Sequence, residues 1–351
     1  MTEAEFLAAL RTLPLHPGAQ DLRDDTAQLG ELVITTDTIV EGVHYLASDP
    51  AEDVAWKLVA VNLSDLAAKG ATPEGVLLNY PLRPPPAEAG APLRDAPNKG
   101  QSPTSIAFPT GPRPSPGKER RWDEHFLAGL GEALRAFACP LVGGDTVSLP
   151  SGAPRVIALT AIGRAVTAPL RSGAQVGDAL YVTGTIGDAG AGLRIARGED
   201  GPAELLAAYR RPQPRLAEGR ALAPLVHAMM DVSDGLLLDA ARMAAASKLG
   251  VTIDIATVPL SPSYCAFAGD DRAARLTAAT AGDDYELLFA APADLALPVA
   301  ATWVGTFTEL PTRHPRESGD PSPDRGSSPL TLTDHSTPLP LPDRLGFAHG
   351  D

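Results

Sequence analysis

The sequence predicts an α/β protein of two domains. Two observations carry that prediction: 351 residues exceed what one simple hydrophobic core holds, and strand-like and helix-like runs alternate outside two proline-rich stretches. Phe6, Leu7, Leu10 and Leu13 fall near helical spacing and predict a short N-terminal helix. Two strand-like runs follow, one ending in "LVITTDTIV". "DPAEDVAWKLVAVNLSDLAAKGA" reads as a helix, with Asp49 and Glu52 near its start and Gly70 near its end. Val54, Leu58, Val61, Asn62 and Asp65 share one face of it, so one carboxylate looks inward. From 83 to about 121 the chain is dense in Pro, Gly and Ser without apolar period, which predicts a largely disordered insert. A second such insert spans 311–330. Elsewhere "HFLAGLGEALRAFA" is helix-like, and "RVIALTAIGRA" and "DALYVTG" are strand-like. "DGLLLDAARMAAASKLG" is a helix ended by Gly250, and "VTIDIATVPL" alternates as a strand does.

Composition excludes several classes of function. The 43 acidic against 29 basic residues give a formal charge of −14, which repels nucleic-acid phosphates and anionic lipid. No apolar run approaches the roughly 20 residues of a membrane span, and the acidic N-terminus lacks the basic region of a signal peptide. The expectation is a cytoplasmic protein without nucleic-acid or membrane partners. Cys139 and Cys265 stand apart from each other and from any histidine cluster, and read as small apolar fillers in a reducing compartment.

Carboxylates recur where apolar runs end. Asp24 and Asp25, Asp37 in "TTDT", Asp65, Asp145 in "VGGDT", Asp231 and Asp234 in "DVSDG", and Asp283 and Asp284 all sit within two residues of Gly, Ser, Thr or another Asp. Any one alone reads as a cap or turn. Many carboxylates converging on strand ends repel one another unless divalent cations lie between them, and hard oxygen donors without paired Cys or His point to Mg²⁺. Mg²⁺ in turn bridges to phosphate, so the set reads as a nucleotide site. No Walker A loop accompanies it: "GPRPSPGKE" has the wrong spacing and ends in Glu119. "GTIGDAGAGL" has the wrong glycine order for a dinucleotide fingerprint.

The stretches "DDTAQL", "ITTDTIVEGVHY", "AWKLVAVNLSDLAAKGATP", "LVGGDT", "RSGAQVGDALYVTG", "DVSDGLLLD" and "AGDDYELLF" run in one order over nearly the whole chain. Together they resemble thiamine-monophosphate kinases, of the aminoimidazole ribonucleotide synthetase-like ATP-binding superfamily. The resemblance implies ATP-dependent phosphorylation of thiamine monophosphate to thiamine diphosphate. It implies two α/β domains, 1–162 for ATP and metal and 163–351 after a boundary near 162–168, in a homodimer joined through N-terminal strands. Asp25, Thr35, Thr36, Asp37, Asp65, Asp145, Asp231 and Asp234 would hold several Mg²⁺ ions, with Asp37, Asp65 and Asp145 nearest the chemistry. Gly144, Asp145, Arg171 and Ser233 would meet ATP, and His44, Asp283 and Phe347 would face thiamine monophosphate. The plain alternatives are a surface histidine for His44 and a solvated charge for Arg171.

Three positions depart from the family pattern: Arg23 stands where glycine is usual, Asp283 where Glu is frequent, and Phe347 where tyrosine is common. Two other readings compete, a hydrogenase-maturation or ribonucleotide-cyclising ATPase of the same superfamily and a decayed nucleotide-binding scaffold.

Overall fold

The computed structural model describes residues 1–83, 116–150, 153–310 and 328–347. Helix α1 (Glu3–Leu10) opens with a capping box, in which Thr2 Oγ1 accepts the Glu5 N–H at 3.2 Å and the Glu5 side chain accepts the Thr2 N–H at 2.8 Å. It stops before Leu13, which is exposed. Strands β1 (Ala27–Leu29) and β2 (Leu32–Val40) form a hairpin whose two-residue turn uses Gly30 at φ +66°. After α2 (Ala51–Ala68) come β3 (Thr72–Leu82), α3 (Pro116–Ala136), β4 (Leu141–Ser148) and β5 (Val156–Arg164). The strands make one sheet in the order β1-β2-β5-β3-β4, antiparallel apart from the β3–β4 pair. Val33, Ile39, Leu159 and Ile157 of this sheet pack with Leu58 and Val59 of α2 and Phe126 of α3.

The chain leaves this sheet at Arg164 and enters a second one at Ala179. There β6 (Ala179–Val182) is followed by α4 (Asp188–Ala196), α5 (Ala203–Arg210), α6 (Leu216–Leu222) and β7 (Ala228–Asp231). Next come α7 (Leu236–Ser247), β8 (Gly250–Asp254), α8 (Pro262–Ala268) and α9 (Arg272–Thr280). Strands β9 (Leu287–Ala291), β10 (Thr302–Thr308), β11 (Leu330–Asp334) and β12 (Thr337–Leu339) complete it. Their order is β12-β11-β8-β10-β6-β9-β7, antiparallel except between β8 and β11.

Several boundaries differ from the sequence expectation. Residues 84–115 of the first insert lie outside the described residues, but α3 already starts at Pro116, inside the expected insert. Proline suits a first helical turn, Lys, Glu and Arg are strong helix formers, and Arg120 pairs with Glu124 one turn on at 2.8 Å. Of the second insert, 311–327 lie outside the described residues and Leu330 begins β11. Helix α7 ends on Lys248 in the left-handed region, at φ +59°, and Gly250 belongs to β8. Strand β8 gives way after Asp254, whose side chain accepts the Ala256 N–H at 3.2 Å and starts a 3₁₀ turn.

The larger difference is α2. Periodicity predicts one inward face, yet every residue except Glu52 and Asp53 is buried. A helix buried all round must be covered from two sides. The first sheet covers one side; on the other, Ala67 and Ala68 join Leu222, Ala223, Met229, Leu287 and Phe289 of the second domain. Gly70, at φ +61°, ends the helix where a Cβ would fall 2.3 Å from the Ala223 Cβ. Gly219 of α6 lies so close that a Cβ there would sit 1.9 Å from the Ala67 carbonyl oxygen. Gly219→Ala is therefore expected to push α6 off α2 and cost about 1–3 kcal/mol, read as a lower urea midpoint at unchanged slope.

Candidate active site

Strand alternation decides what the "TTD" run of β2 presents. The Thr35 hydroxyl is buried and donates to Asp65 Oδ2 at 2.5 Å. The Asp37 N–H donates to Asn62 Oδ1 at 3.0 Å, and Asn62 in turn donates to the Leu58 carbonyl oxygen at 2.9 Å. Asn62 and Asp65 lie one turn apart on α2, so that helix lines the Thr35–Asp37 face. Thr36 points the other way: its hydroxyl donates to the Leu159 carbonyl oxygen at 3.2 Å and accepts from Thr160 at 3.0 Å. Of the three residues expected on one face, the structure sets the Thr36 side chain opposite those of Thr35 and Asp37, because adjacent side chains on a strand take opposite faces.

The second domain meets this face with the end of β7. Asp231 is buried there. The turn after it is organised by Asp239, whose Oδ2 accepts the N–H groups of Ser233, Asp234 and Gly235 at 3.1, 3.0 and 3.2 Å. Gly235 at φ +119° lets these three amides converge. Arg242 pairs with both Asp234 and Asp239. The Asp283 N–H donates to the Ser233 carbonyl oxygen and the Phe347 N–H to the Asp234 carbonyl oxygen, each at 2.8 Å. At Gly346 a Cβ would lie 2.3 Å from that same Asp234 oxygen. Ser233, Asp234, Asp283 and Phe347 therefore share one place, although they come from separate motifs.

The electrostatics are those of a crowded anion site. Burial pushes the Asp65 carboxyl well above the usual carboxylate range, and the Asp37 and Asp231 carboxylates push it further. Burial, with Asp37 adding to it, pushes Asp231 up to about 6. Fixed cations answer part of this charge. Lys69 Nζ lies 2.6 Å from Asp24 Oδ1, both groups being buried. The Arg171 N–H donates to Asp24 Oδ2 at 2.9 Å, and its guanidinium pairs with Asp25. Arg171 is thus a partly buried partner of the acidic pair, not a solvated charge, and burial lowers its pKa. Arg23 is exposed, and it is Arg171 that meets Asp25.

A divalent cation fits these residues in donor chemistry. Asp25 Oδ2 is buried without a hydrogen-bond partner among the described residues. Asp37 and Asp231 raise the proton affinity of Asp65, and Asp37 raises that of Asp231, as carboxylates do when the countercharge between them is missing. The arrangement is not a preformed cage: among the described residues no three His, Cys, Asp or Glu side chains stand ready to hold a metal ion. Arg171 on Asp25 and Arg242 on Asp234 account for part of that.

Gly144 and Asp145 lie elsewhere. Both are exposed on the edge strand β4, where Asp145 Oδ1 accepts the Thr146 N–H at 2.8 Å. Gly144 is in register with Leu78, Leu159 and Asp37 across the sheet, three strands from β2 and so about 14 Å away. The expectation that they join Asp37 and Asp65 is not met within this chain, because β5 and β3 intervene. At the opposite flank, His44 Nδ1 accepts the Val40 N–H at 3.1 Å. Lys57 Nζ donates to the His44 carbonyl oxygen at 3.1 Å and to Asp283 Oδ2 at 2.7 Å, which brings His44 and Asp283 together.

Comparison with known proteins agrees with this architecture. Models of the AIR synthase related protein family match the chain, the N-terminal domain over 23–97 and 102–165 and the C-terminal domain over 175–301. The thiamine-monophosphate kinase of Caulobacter vibrioides is 37% identical over 304 residues, covering 82% of this chain and 76% of that protein. The chain belongs to the thiamine-monophosphate kinase family. The Escherichia coli K12 thiamine-monophosphate kinase is 35% identical over 74% of this chain and 71% of its own. Among solved structures, AaThiL complexed with AMPPCP and TMP superposes with a TM-score of 0.71 at 27% identity, over 88% of this chain and 91% of that one. The Stenotrophomonas maltophilia thiamine-monophosphate kinase gives 0.64 at 32% identity, over 88% and 95%. The hydrogenase maturation protein HypE in complex with ATP, at 19% identity and 0.62, shares the fold.

Within this thiamine-monophosphate kinase family member, sequence reasoning missed Lys57, Lys69, Asp239 and Arg242. Each lies inside or beside a quoted motif, but its type and spacing are those of an ordinary helix. Asp239 is the most consequential of them. Burial pushes its carboxyl up to about 7, against the pull of Arg242. An acid whose folded pKa exceeds its unfolded value of about 4 contributes stability that is complete below pH 4 and lost as pH rises through 7. The metal-free protein is expected to lose unfolding free energy between those limits, and Asp239→Asn to flatten that slope in a pH series of urea titrations.

Proposed function

We propose that this chain transfers the γ-phosphoryl group of ATP to thiamine monophosphate, giving thiamine diphosphate and ADP. The observation that carries the reading is the meeting, at one domain junction, of the Asp25–Thr35–Asp37–Asp65–Asp231 oxygen cluster with the His44–Lys57–Asp283 group beside it. Family membership and the relatives named for this activity support it.

Phosphoryl transfer asks a protein mainly for alignment and charge neutralisation. Mg²⁺, when bound, would neutralise phosphate oxygens. Asp25, Asp37, Asp65, Asp231 and Asp234, with the Thr35 hydroxyl, are the residues that would hold it. Arg171 carries a positive charge to the same edge and is the group to meet nucleotide phosphate. Ser233 presents its turn to the nucleotide, with Asp239 holding the backbone still. His44, Asp283 and Phe347 face the acceptor, with Phe347 half exposed and its N–H on the Asp234 turn. The division at 162–163 and a cytoplasmic setting belong to the same reading. So does a homodimer through N-terminal strands, supported by Leu141, Val142 and Val147 exposed on the edge strand β4.

The deciding experiment offers purified protein ATP and excess Mg²⁺ with thiamine monophosphate or free thiamine. Only the monophosphate should be consumed, with thiamine diphosphate and ADP formed in equal amounts. ATP hydrolysis without thiamine diphosphate would instead indicate an ATPase of the same superfamily. In the same assay Asp65→Asn is expected to lower kcat by about 10²–10³-fold while circular dichroism stays native. Near-normal turnover in that variant would remove Asp65 from the metal-holding set.

A further inference from the structure

We propose that Lys57 is a positioning residue for the acceptor substrate, acting through Asp283 to clamp the His44 turn and the Asp283 turn into one binding surface. The inference rests on the kinase reading above and concerns a residue that none of the expected site motifs assigns a role.

The geometry is specific. Lys57 projects from the middle of α2, and its side chain is 3% exposed, whereas that of Asp283 is 30% exposed. A ligand therefore reaches the carboxylate and not the ammonium. Burying an ammonium is costly unless its donors are matched. Here Nζ meets Asp283 Oδ2 at 2.7 Å, the His44 carbonyl oxygen at 3.1 Å and the Tyr209 ring at 4.3 Å from its centroid. Tyr209 is itself held, because its hydroxyl donates to Asp49 Oδ2 at 2.9 Å. Asp49 also accepts the Leu46 N–H at 2.8 Å and Arg210 Nε at 3.2 Å. Both sides of the junction thus converge on one ammonium.

Asp283 needs such an anchor. Its backbone sits at φ +70°, in the left-handed region that an Asp tolerates only when its surroundings hold it. Lys57 takes one carboxylate oxygen, and the Tyr285 hydroxyl donates to the other at 3.0 Å. Each oxygen keeps a second lone pair. The result is an oriented, partly exposed acceptor for a hydrogen-bond-donating or cationic group. The amino group and thiazolium ring of thiamine monophosphate are of that class. The contacts described for Lys57 are with the His44 turn, Asp283 and Tyr209, on the acceptor side, so its loss should act on the acceptor and not on the nucleotide.

Steady-state kinetics of the wild type, Lys57→Met, Asp283→Asn and the double variant test this, each substrate being varied at saturating levels of the other. Lys57→Met is expected to raise KM for thiamine monophosphate about tenfold or more and to move KM for ATP by less than about twofold. The double variant should show the KM of Asp283→Asn alone, because Lys57 acts through that carboxylate. It also lacks the carboxylate that Lys57→Met leaves without its cation, so it serves if that variant does not fold. A melting temperature lowered with KM unchanged, or a double variant about tenfold worse than Asp283→Asn, would overturn the positioning role while the kinase reading stands. A wild type that leaves thiamine monophosphate unconsumed would overturn both.

Discussion

Three carboxylates converge at the domain junction: Asp65 and Asp231 are buried and Asp37 is partly buried, Asp37 raises the proton affinity of both the others, and the three come from a strand, a helix and a second domain. Bringing like charges together in a poorly solvated place opposes folding. The molecule answers with apolar packing that forces the junction closed and with fixed cations at its rim. Ala67, Ala68, Met229, Leu287 and Phe289 supply the packing. Lys69 on Asp24 and Arg171 on Asp25 supply part of the countercharge. The charge left over is what a divalent cation and a phosphate would complete.

Helix α2 is the element through which these demands meet. Its apolar residues join both domain cores, and its polar residues face the junction in sequence order. Lys57 reaches Asp283, Asn62 fixes the backbone of Asp37, and Asp65 takes the Thr35 hydroxyl. Lys69, at its end, reaches Asp24 and the Met229 carbonyl oxygen. A helix with polar groups at these intervals is stable only because each has a partner on another element. That arrangement also explains its weak amphipathic pattern: no face is left for water.

Most of the fold was legible in the sequence. The apolar spacing of α1, the run of α2, the alternation of β2 and β5 and the strand–turn–helix of β7 and α7 all follow from local pattern, and the structure places them accordingly. Boundaries were less legible where two local signals competed, as at Pro116 and Lys248. The oxygen-rich site was legible as a set of Asp-containing turns, but its membership was not. Thr36 was grouped with Thr35 and Asp37 by adjacency, and pleating separates its side chain from theirs. Gly144 and Asp145 were grouped by motif, and the strand order sets them at the sheet edge.

By itself, then, the sequence determined the element types, the two-domain organisation and the residue chemistry of an acidic, oxygen-ligand site, because helix and strand periods and turn preferences act over a few residues. Only the tertiary structure decided which carboxylates share a space and which cations stand against them. Lys57 and Asp283 are 226 positions apart, and Arg171 and Asp25 are 146 apart. No local pattern encodes such a pairing; it exists because apolar burial closes the two domains onto α2 and brings those charges within reach of one another.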